Sequence, residues 1–419
     1  MNSQRFVIAA LMTTLALSNV LRFNTLNAEE AHSKTDANAL STVVPIMVDT
    51  PPAAALQPPV DSIMPLEMKL IPVENSGVND TNPSWSASGN MLAIERNEQS
   101  KKEIVILKTA DFKPIKKIYY QLEDNAQGLA MLIPGLEESV SYNAGLTWSS
   151  DDKHFVFMSN AGEGNYDLYL GDLNDSGVTR LTETKEKDGM PDWSPPHVQI
   201  AFVSGRTGGA QINWMNLATR VVKQLTNTDQ THLYPMWSPD GTRLTYMRGD
   251  NENHDIMVMN INAENSPIET PLTRWSYDDL RPTWSPDGQY IAFYTNYNKE
   301  SDIKIWSLAV VKADGSDALE GDKLAGNIVA THVIPDIERG PAWLADGQHI
   351  VYIKDVKEDY NPIFIADIRG KKVKKIITST KMNHDVSISK QNMIAFRAQV
   401  DQWDRVFVMK LPLDKLGEL

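Results

Sequence analysis

From about residue 83 onwards, apolar and polar positions alternate in short runs that recur at a near-constant interval. The runs MLAIE, HFVFMS, QIAFVS, RLTYMR, YIAFYT and HIVYIK each follow a Trp-bearing string. Those strings are PSWSASG at Pro83, LTWSSDD at Leu146, PDWSPPH at Pro191, PMWSPDG at Pro235, PTWSPDG at Pro282 and PAWLADG at Pro341. Alternation with period two over five or six residues predicts half-buried strands. A second apolar segment follows each run: EIVILK, YDLYLGDL, QINWMNL, DIMVMNI, DIKIWSL and PIFIADI. A seventh stretch, DVSISKQNMIAFRAQ followed by RVFVMKL, keeps the pattern with Ser387 where Trp should stand. Successive Trp are spaced 63, 45, 44, 47 and 59 residues apart, and Ser387 lies 44 beyond Trp343. A period near 45 in a strand-rich chain means propeller blades of about four strands each.

The outer strands carry their own register. Leu181-Thr182, Leu225-Thr226 and Leu272-Thr273 each stand 12 and 11 residues before the next Trp. Twelve residues before Trp85 lies Val73, at the end of MKLIPV, so that segment reads as an outer strand with no inner strands before it. The last unit supplies three strands and stops. The N-terminal strand is therefore expected to complete the last blade and leave no long open edge. The count favours seven blades over six. In the first unit either Lys116 to Leu122 or Leu129 to Leu136 fits the outer strand, and the long spacings before Trp148 and Trp343 imply insertions.

The motif residues have local physical reasons. In Ser-Pro-Asp-Gly, Pro presets φ, Asp bonds its neighbouring backbone, and Gly takes the positive-φ site of the turn. Trp85, Trp148, Trp193, Trp237, Trp284 and Trp343 are expected to fill the wedges between neighbouring twisted sheets.

The chain has 419 residues, 42% of them apolar, and no cysteine, which removes disulfides, thiolate metal sites and a cysteine nucleophile. Its net charge is −14, and the one dense basic run, Lys371, Lys372, Lys374 and Lys375, falls on an outer strand. Lysines there discourage edge-to-edge pairing, and nothing offers the basic face that a nucleic acid needs. Arg5, the apolar stretch from Phe6 to Leu21 and the small residue Ala28 read as a secretory signal over residues 1–28. The apolar run is shorter than a spanning helix needs, and no other segment could cross a bilayer. Residues 29–64, punctuated by Pro45, Pro51, Pro52, Pro58 and Pro59, read as a disordered Pro/Ala-rich linker, leaving 65–419 for the propeller domain.

The P-x-W-S-P-D-G strings at Pro235 and Pro282, with their trailing I-A-F and Leu-Thr, resemble the TolB-type, WD40-like propeller repeats over about residues 66 to 413. That resemblance implies an exported adaptor, periplasmic or secreted, that binds a protein partner. TolB itself carries an α/β domain before a six-bladed propeller, whereas this chain has a linker there and a seventh unit. The prolyl oligopeptidase group has a similar propeller, but no Gly-x-Ser-x-Gly elbow occurs here. The oligogalacturonate lyase type, also seven-bladed, holds a divalent metal mainly by His. Of the eight His, only His232 and His384 lie in segments approaching the channel, and two His make a poor metal site.

The repeat register also nominates a site. Five residues before each Trp stand Asp80, Asn143, Asp188, His232, Asp279 and Glu338, with Met382 in the degenerate unit. If these line one channel mouth, their carboxylates focus a negative potential able to hold a cation or a basic segment. The competing reading is that they cap turns by bonding nearby backbone N–H groups. The expectation is thus a monomeric, non-enzymatic β-propeller of the cell envelope, without cofactor or bound metal, acting as a protein- or ligand-binding scaffold. A metal-dependent polysaccharide lyase on the same fold is the alternative.

Overall fold

The computed structural model describes residues 62–73, 77–98, 101–118, 143–161, 165–175, 177–250, 253–261, 268–297, 305–320, 327–356, 360–369, 372–412 and 414. Strands dominate, and among these residues no helix is long and apolar enough to cross a membrane. The signal and all but the last residues of the linker lie outside the described residues.

Seven small antiparallel sheets form the blades of a propeller. Blade 1 comprises Val78–Trp85, Met91–Glu98, Lys101–Lys108 and Lys113–Ile118; blade 2 comprises Asn143–Trp148, His154–Ser159, Asp167–Asp172 and Val178–Arg180. Blade 3 comprises Asp188–Trp193, Gln199–Ser204, Gln211–Asn216 and Val222–Gln224; blade 4 comprises Thr231–Trp237, Arg243–Asp250, Asn253–Asn260 and Ile268–Pro271. Blade 5 contains Asp279–Trp284, Tyr290–Thr295, Ser307–Lys312 and Ile328–Thr331. In blade 6 the first strand is broken into Val333–Ile334 and Ala342–Trp343, followed by His349–Lys354, Ile363–Asp367 and Val373–Ile376. Blade 7 has Lys381–Ile388, Met393–Val400 and Trp403–Lys410, and its fourth strand is Glu67–Leu70.

Ring closure agrees with the expected register. Glu67–Leu70 runs antiparallel to the last long strand, pairing Met68 with Met409 and Leu70 with Phe407. Between blades 7 and 1, the N–H of Asp404 donates to Asn79 Oδ1 at 2.8 Å, and the buried Arg405 donates to Val78 O. One element was not foreseen. Ser62–Ile63, inside the stretch read as linker, pairs in parallel with Lys375 and Ile376 at the rim of blade 6. The short N-terminal segment therefore touches two successive blades. In blade 1 the outer strand is Lys113–Ile118, a little earlier than either candidate read from sequence.

The hydrophobic clusters lie between blades, because each sheet has two faces and a neighbour on each. Val156 and Leu168 of blade 2 pack with Trp193, Ile200 and Phe202 of blade 3; at the closure, Trp85 and Leu92 pack with Ala395 and Val408. All six repeat Trp are at most 9% exposed. Four of them also donate the indole N–H to a carbonyl of the preceding blade: Trp148 to Ser84 O, Trp284 to Met236 O, Trp343 to Thr283 O and Trp85 to Ser387 O. Ser387 lacks the indole but still supplies the acceptor that seals the ring.

The Leu-Thr pairs have a matching role. Thr182, Thr226 and Thr273 are buried, and each hydroxyl accepts the N–H of a third-strand residue (Leu168, Ile212 and Ile256) where the short outer strand has ended. A hydroxyl thus completes the ladder, as buried backbone donors require.

Candidate functional site

The first strand of each of blades 1 to 5 is bent at one point, whereas that of blade 7 shifts register twice, around Met382 and Asp385. In blades 1 to 5 the pairing register shifts between Thr81 and Ser84, Ala144 and Thr147, Gly189 and Asp192, Leu233 and Met236, and Leu280 and Thr283. Each shift is a β-bulge, with the residue three before Trp at positive φ: Asn82 at 54°, Gly145 at 63°, Met190 at 52°, Tyr234 at 53° and Arg281 at 56°. Pro83, Pro191, Pro235 and Pro282 follow directly in four of the five. Proline has no N–H for the ladder, so it is at home in a bulge on an edge strand.

The bulge resets which side chain faces where. Without it, positions five and three before Trp would share a face. With it, the five-before residues turn into the blades and are buried there one by one. Asp80 receives a bidentate pair from Arg96, both contacts 2.8 Å. Asn143 donates to Lys102 O at 3.1 Å, and Asp188 meets Arg206 at 3.2 Å. Asp279 accepts the Trp275 indole N–H at 2.6 Å; burial holds its carboxyl well above the usual range, against hydrogen bonds from Thr295, Thr273 and Trp275. His232 lies against Gln230 O at 3.1 Å, and burial pushes its pKa down to about 4. Five of the six nominated residues therefore sit in separate interior pockets instead of converging on an opening.

Glu338 differs because blade 6 breaks its first strand there. Asp336 Oδ1 accepts the N–H groups of Glu338 and Arg339, both at 2.9 Å, and Gly340 N–H donates to Asp336 O at 3.0 Å. This closed turn lies within reach of blades 1, 5 and 7. Arg339 Nη2 donates to Asn82 O of blade 1 at 2.9 Å. Blade 7 lies between blades 6 and 1, so the contact bridges the channel.

Around this loop, charged groups gather from several blades. Glu338 interacts electrostatically with Glu95 of blade 1, Arg281 of blade 5, Asp385 of blade 7 and its neighbour Arg339. Burial, reinforced by Glu95, pushes Glu338 up to about 7. Burial also raises Asp336, with the Asp385 charge adding to the effect. Glu95 is raised by burial, although its carboxylate accepts the bulge N–H of Gly145 at 3.0 Å. Asp385, at the blade 7 bulge, is held by Arg397 at 2.6 Å. Asp192, which accepts the Trp237 N–H at 2.7 Å, is pushed by burial up to about 7. Arg281 lies over the Tyr234 ring, 4.0 Å from its centroid.

Sequence reasoning chose the position five before Trp; the charged cluster is drawn instead from the blade 6 loop, from Arg281 three before its Trp, and from Glu95, Asp192 and Asp385. The signal was present in the Pro two before Trp, which marks the bulge.

The His residues do not converge. His154 pairs with Asp151 and Asp172, His254 with Asp278, His349 with Asp346, and His384 with Asn361. Among the described residues, no group of three or more His, Asp or Glu is arranged to hold a metal ion.

Residues 137–332 match the family model described as the TolB beta propeller domain. That match spans blades 2 to 5 of the seven-bladed ring. Among solved structures, TolB from Acinetobacter baumannii is 18% identical, covering 76% of this chain and 67% of that one, with a TM-score of 0.46. An oligogalacturonate lyase in complex with manganese is 10% identical, covering 83% of this chain and 93% of that one, with a TM-score of 0.59. A puromycin-hydrolyzing peptidase from Mycobacterium tuberculosis is 12% identical, covering 80% and 52%, with a TM-score of 0.53. At these identities the likeness is one of fold, which hosts many functions. The described residues bring together no donor set for a metal such as that lyase's manganese. No curated protein matches the chain.

Proposed function

We propose that the protein is a non-enzymatic, TolB-like scaffold of the cell envelope that binds a protein or peptide at the channel face carrying the blade 6 loop. One observation carries this reading. Charged side chains from blades 1, 5, 6 and 7 interact around the blade 6 loop, and hydrogen-bonding capacity is left open where blades 5 and 6 meet: Asp336 Oδ2, Arg339 Nε and Arg281 Nε are buried and have no partner among the described residues. Interiors normally satisfy such groups, so open ones in a channel are groups that a partner can complete. The TolB-type repeat and the N-terminal export signal support the envelope setting.

A photo-crosslinking amino acid at Ile337, 41% exposed on the blade 6 loop, and another at Val221, 56% exposed at the rim of blade 3, test this in cells. The expected result is a discrete adduct in the envelope fraction from Ile337 and none from Val221. Equal labelling at both positions, or none at Ile337, contradicts a channel-face partner. Recovery of the chain in the cytoplasm contradicts the envelope setting.

A further inference from the structure

A channel face that binds a partner must offer it some particular chemistry. Taking that face as the binding site, we propose that the channel seats a carboxylate group on the guanidinium of Arg281, against the ring of Tyr234.

Arg281 occupies the blade 5 bulge at φ 56°, a conformation unusual for a side chain of this size, and Pro282 follows it. The bulge turns the side chain out of the sheet interior toward the axis. There the guanidinium stacks on Tyr234 of blade 4 with 4.0 Å between its central carbon and the ring centroid. Stacking uses the face of the planar group and leaves its edge, where the N–H donors lie, unused.

No hydrogen bond or ion pair engages those donors among the described residues, and Nε is buried. Other arginines of the ring have acceptors. Arg96 holds Asp80, Arg180 holds Asp167, Arg206 holds Asp188, and Arg397 holds Asp385 and Asp404. Arg339 reaches Asn82 O. A half-buried guanidinium that the fold engages by stacking and through-space charge, with no hydrogen bond to its fork, presents the edge that a carboxylate matches with two parallel hydrogen bonds.

The surroundings select a singly charged anion. The groups facing Arg281 are Asp192 of blade 3, Tyr234 of blade 4, Tyr294 of its own blade, and Asp336 and Glu338 of the blade 6 loop. Three carboxyls nearby would repel a phosphate dianion. Burial raises all three, with Asp192 and Glu338 at about 7, so near neutral pH each is in part a neutral hydrogen-bond donor. An incoming carboxylate therefore finds a cation, and acids able to share a proton with it. As pH rises through about 7 these acids ionise, and the seat becomes repulsive.

Isothermal titration of the full chain tests the proposal with three probes. Acetyl-Ala-Glu-Ala-amide offers a side-chain carboxylate, acetyl-Ala-Ala-Ala offers a chain terminus, and acetyl-Ala-Gln-Ala-amide is the neutral control. At least one carboxylate probe is expected to bind, about 10-fold or more weakly at pH 8 than at pH 6, and the first two probes distinguish the source. Arg281→Gln should weaken binding at least about 30-fold, and Arg281→Lys should retain part of it. Because no hydrogen bond among the described residues holds the Arg281 guanidinium, and the backbone N–H bond to Met247 Sδ survives the substitution, Arg281→Gln should melt within a few degrees of the natural chain. Binding unchanged in Arg281→Gln, equal binding of the Gln probe, or no binding by either carboxylate probe would each overturn the proposal. An Ile337 adduct that persists at full yield in Arg281→Gln would refute the carboxylate seat while leaving the channel-face partner standing.

Discussion

Truncating Trp284 to Ala removes the residue that best represents how the blades are joined. Its ring is 6% exposed, its N–H donates to Met236 O at 3.1 Å, and Arg243 stands 4.6 Å over its face. Burying ~200 Å² at ~25 cal/mol/Å² stabilises by about 5 kcal/mol as an upper figure, since a compact unfolded chain lowers it toward ~3–4 kcal/mol. The orphaned carbonyl adds ~1 kcal/mol and the lost cation–π contact ~0.5–1 kcal/mol. These sum to about 4.5–6 kcal/mol, and Ala keeps part of the buried area, so Trp284→Ala should destabilise by about 4–5 kcal/mol, in the upper range of other large aromatic truncations. The neighbouring repeat supplies an internal control. Trp237 is as deeply buried, but its Nε1 has no partner among the described residues. Phenylalanine keeps most of the apolar area, so Trp284→Phe should cost ~1–2 kcal/mol and Trp237→Phe under ~1 kcal/mol. Urea unfolding followed by far-UV circular dichroism measures all three. Equal costs for the two Phe variants, or less than ~1 kcal/mol for Trp284→Ala, would refute the inter-blade role of the indole.

Arg96→Ala should destabilise by about 3–5 kcal/mol in the same assay, because it strands the fully buried Asp80 without its bidentate partner. Glu338→Gln should raise the melting temperature at pH 8 and change it little at pH 4. The folded-state pKa of Glu338 is raised to about 7, so its contribution is full below the ordinary carboxyl range and is lost as pH rises through 7. An equal effect at both pH values would contradict the buried, crowded placement of this carboxyl. Gly340→Ala should cost ~1–3 kcal/mol and disturb the channel loop, since φ is 81° and a Cβ would meet Arg281 O at 2.6 Å. An unchanged unfolding midpoint in that variant would show that the loop is not seated as described.

Most of the architecture was readable from residue spacing because blades repeat. A strand of period two, a Ser-Pro-Asp-Gly turn and a Leu-Thr pair at constant distance leave few ways to assemble. Even the N-terminal closure could be read from Val73 falling in the outer-strand register. The site was less readable, for a physical reason. Period-two reasoning assumes an unbroken strand, and a bulge at the residue before Pro turns Asp80, Asp188 and Asp279 into the blades while turning Tyr234 and Arg281 toward the axis. Glu338 alone among the nominees lies outside a continuous first strand, on the turn made by Asp336, because its strand is broken. Bridges such as Arg339 to Asn82 join positions 257 residues apart across the ring, which no local pattern encodes. Ser62–Ile63 was missed because two residues of strand among prolines carry no periodicity.

Everything at the axis depends on the circle being shut by the segment at Glu67–Leu70, and one cross-link reports on that directly. Met68 and Met409 are direct cross-strand partners, 341 positions apart, in a chain with no native cysteine. With Ile71 N–H bonded to Val406 O, alternation along the ladder makes their pair a non-hydrogen-bonded one, close enough for a disulfide. In Met68→Cys/Met409→Cys, mild oxidation of the native protein should form an intramolecular disulfide nearly completely, seen as a shifted band on a non-reducing gel and loss of titratable thiols. Two free thiols persisting in the folded protein would mean that the N-terminal strand does not lie on the last blade, and the closed ring would have to be abandoned.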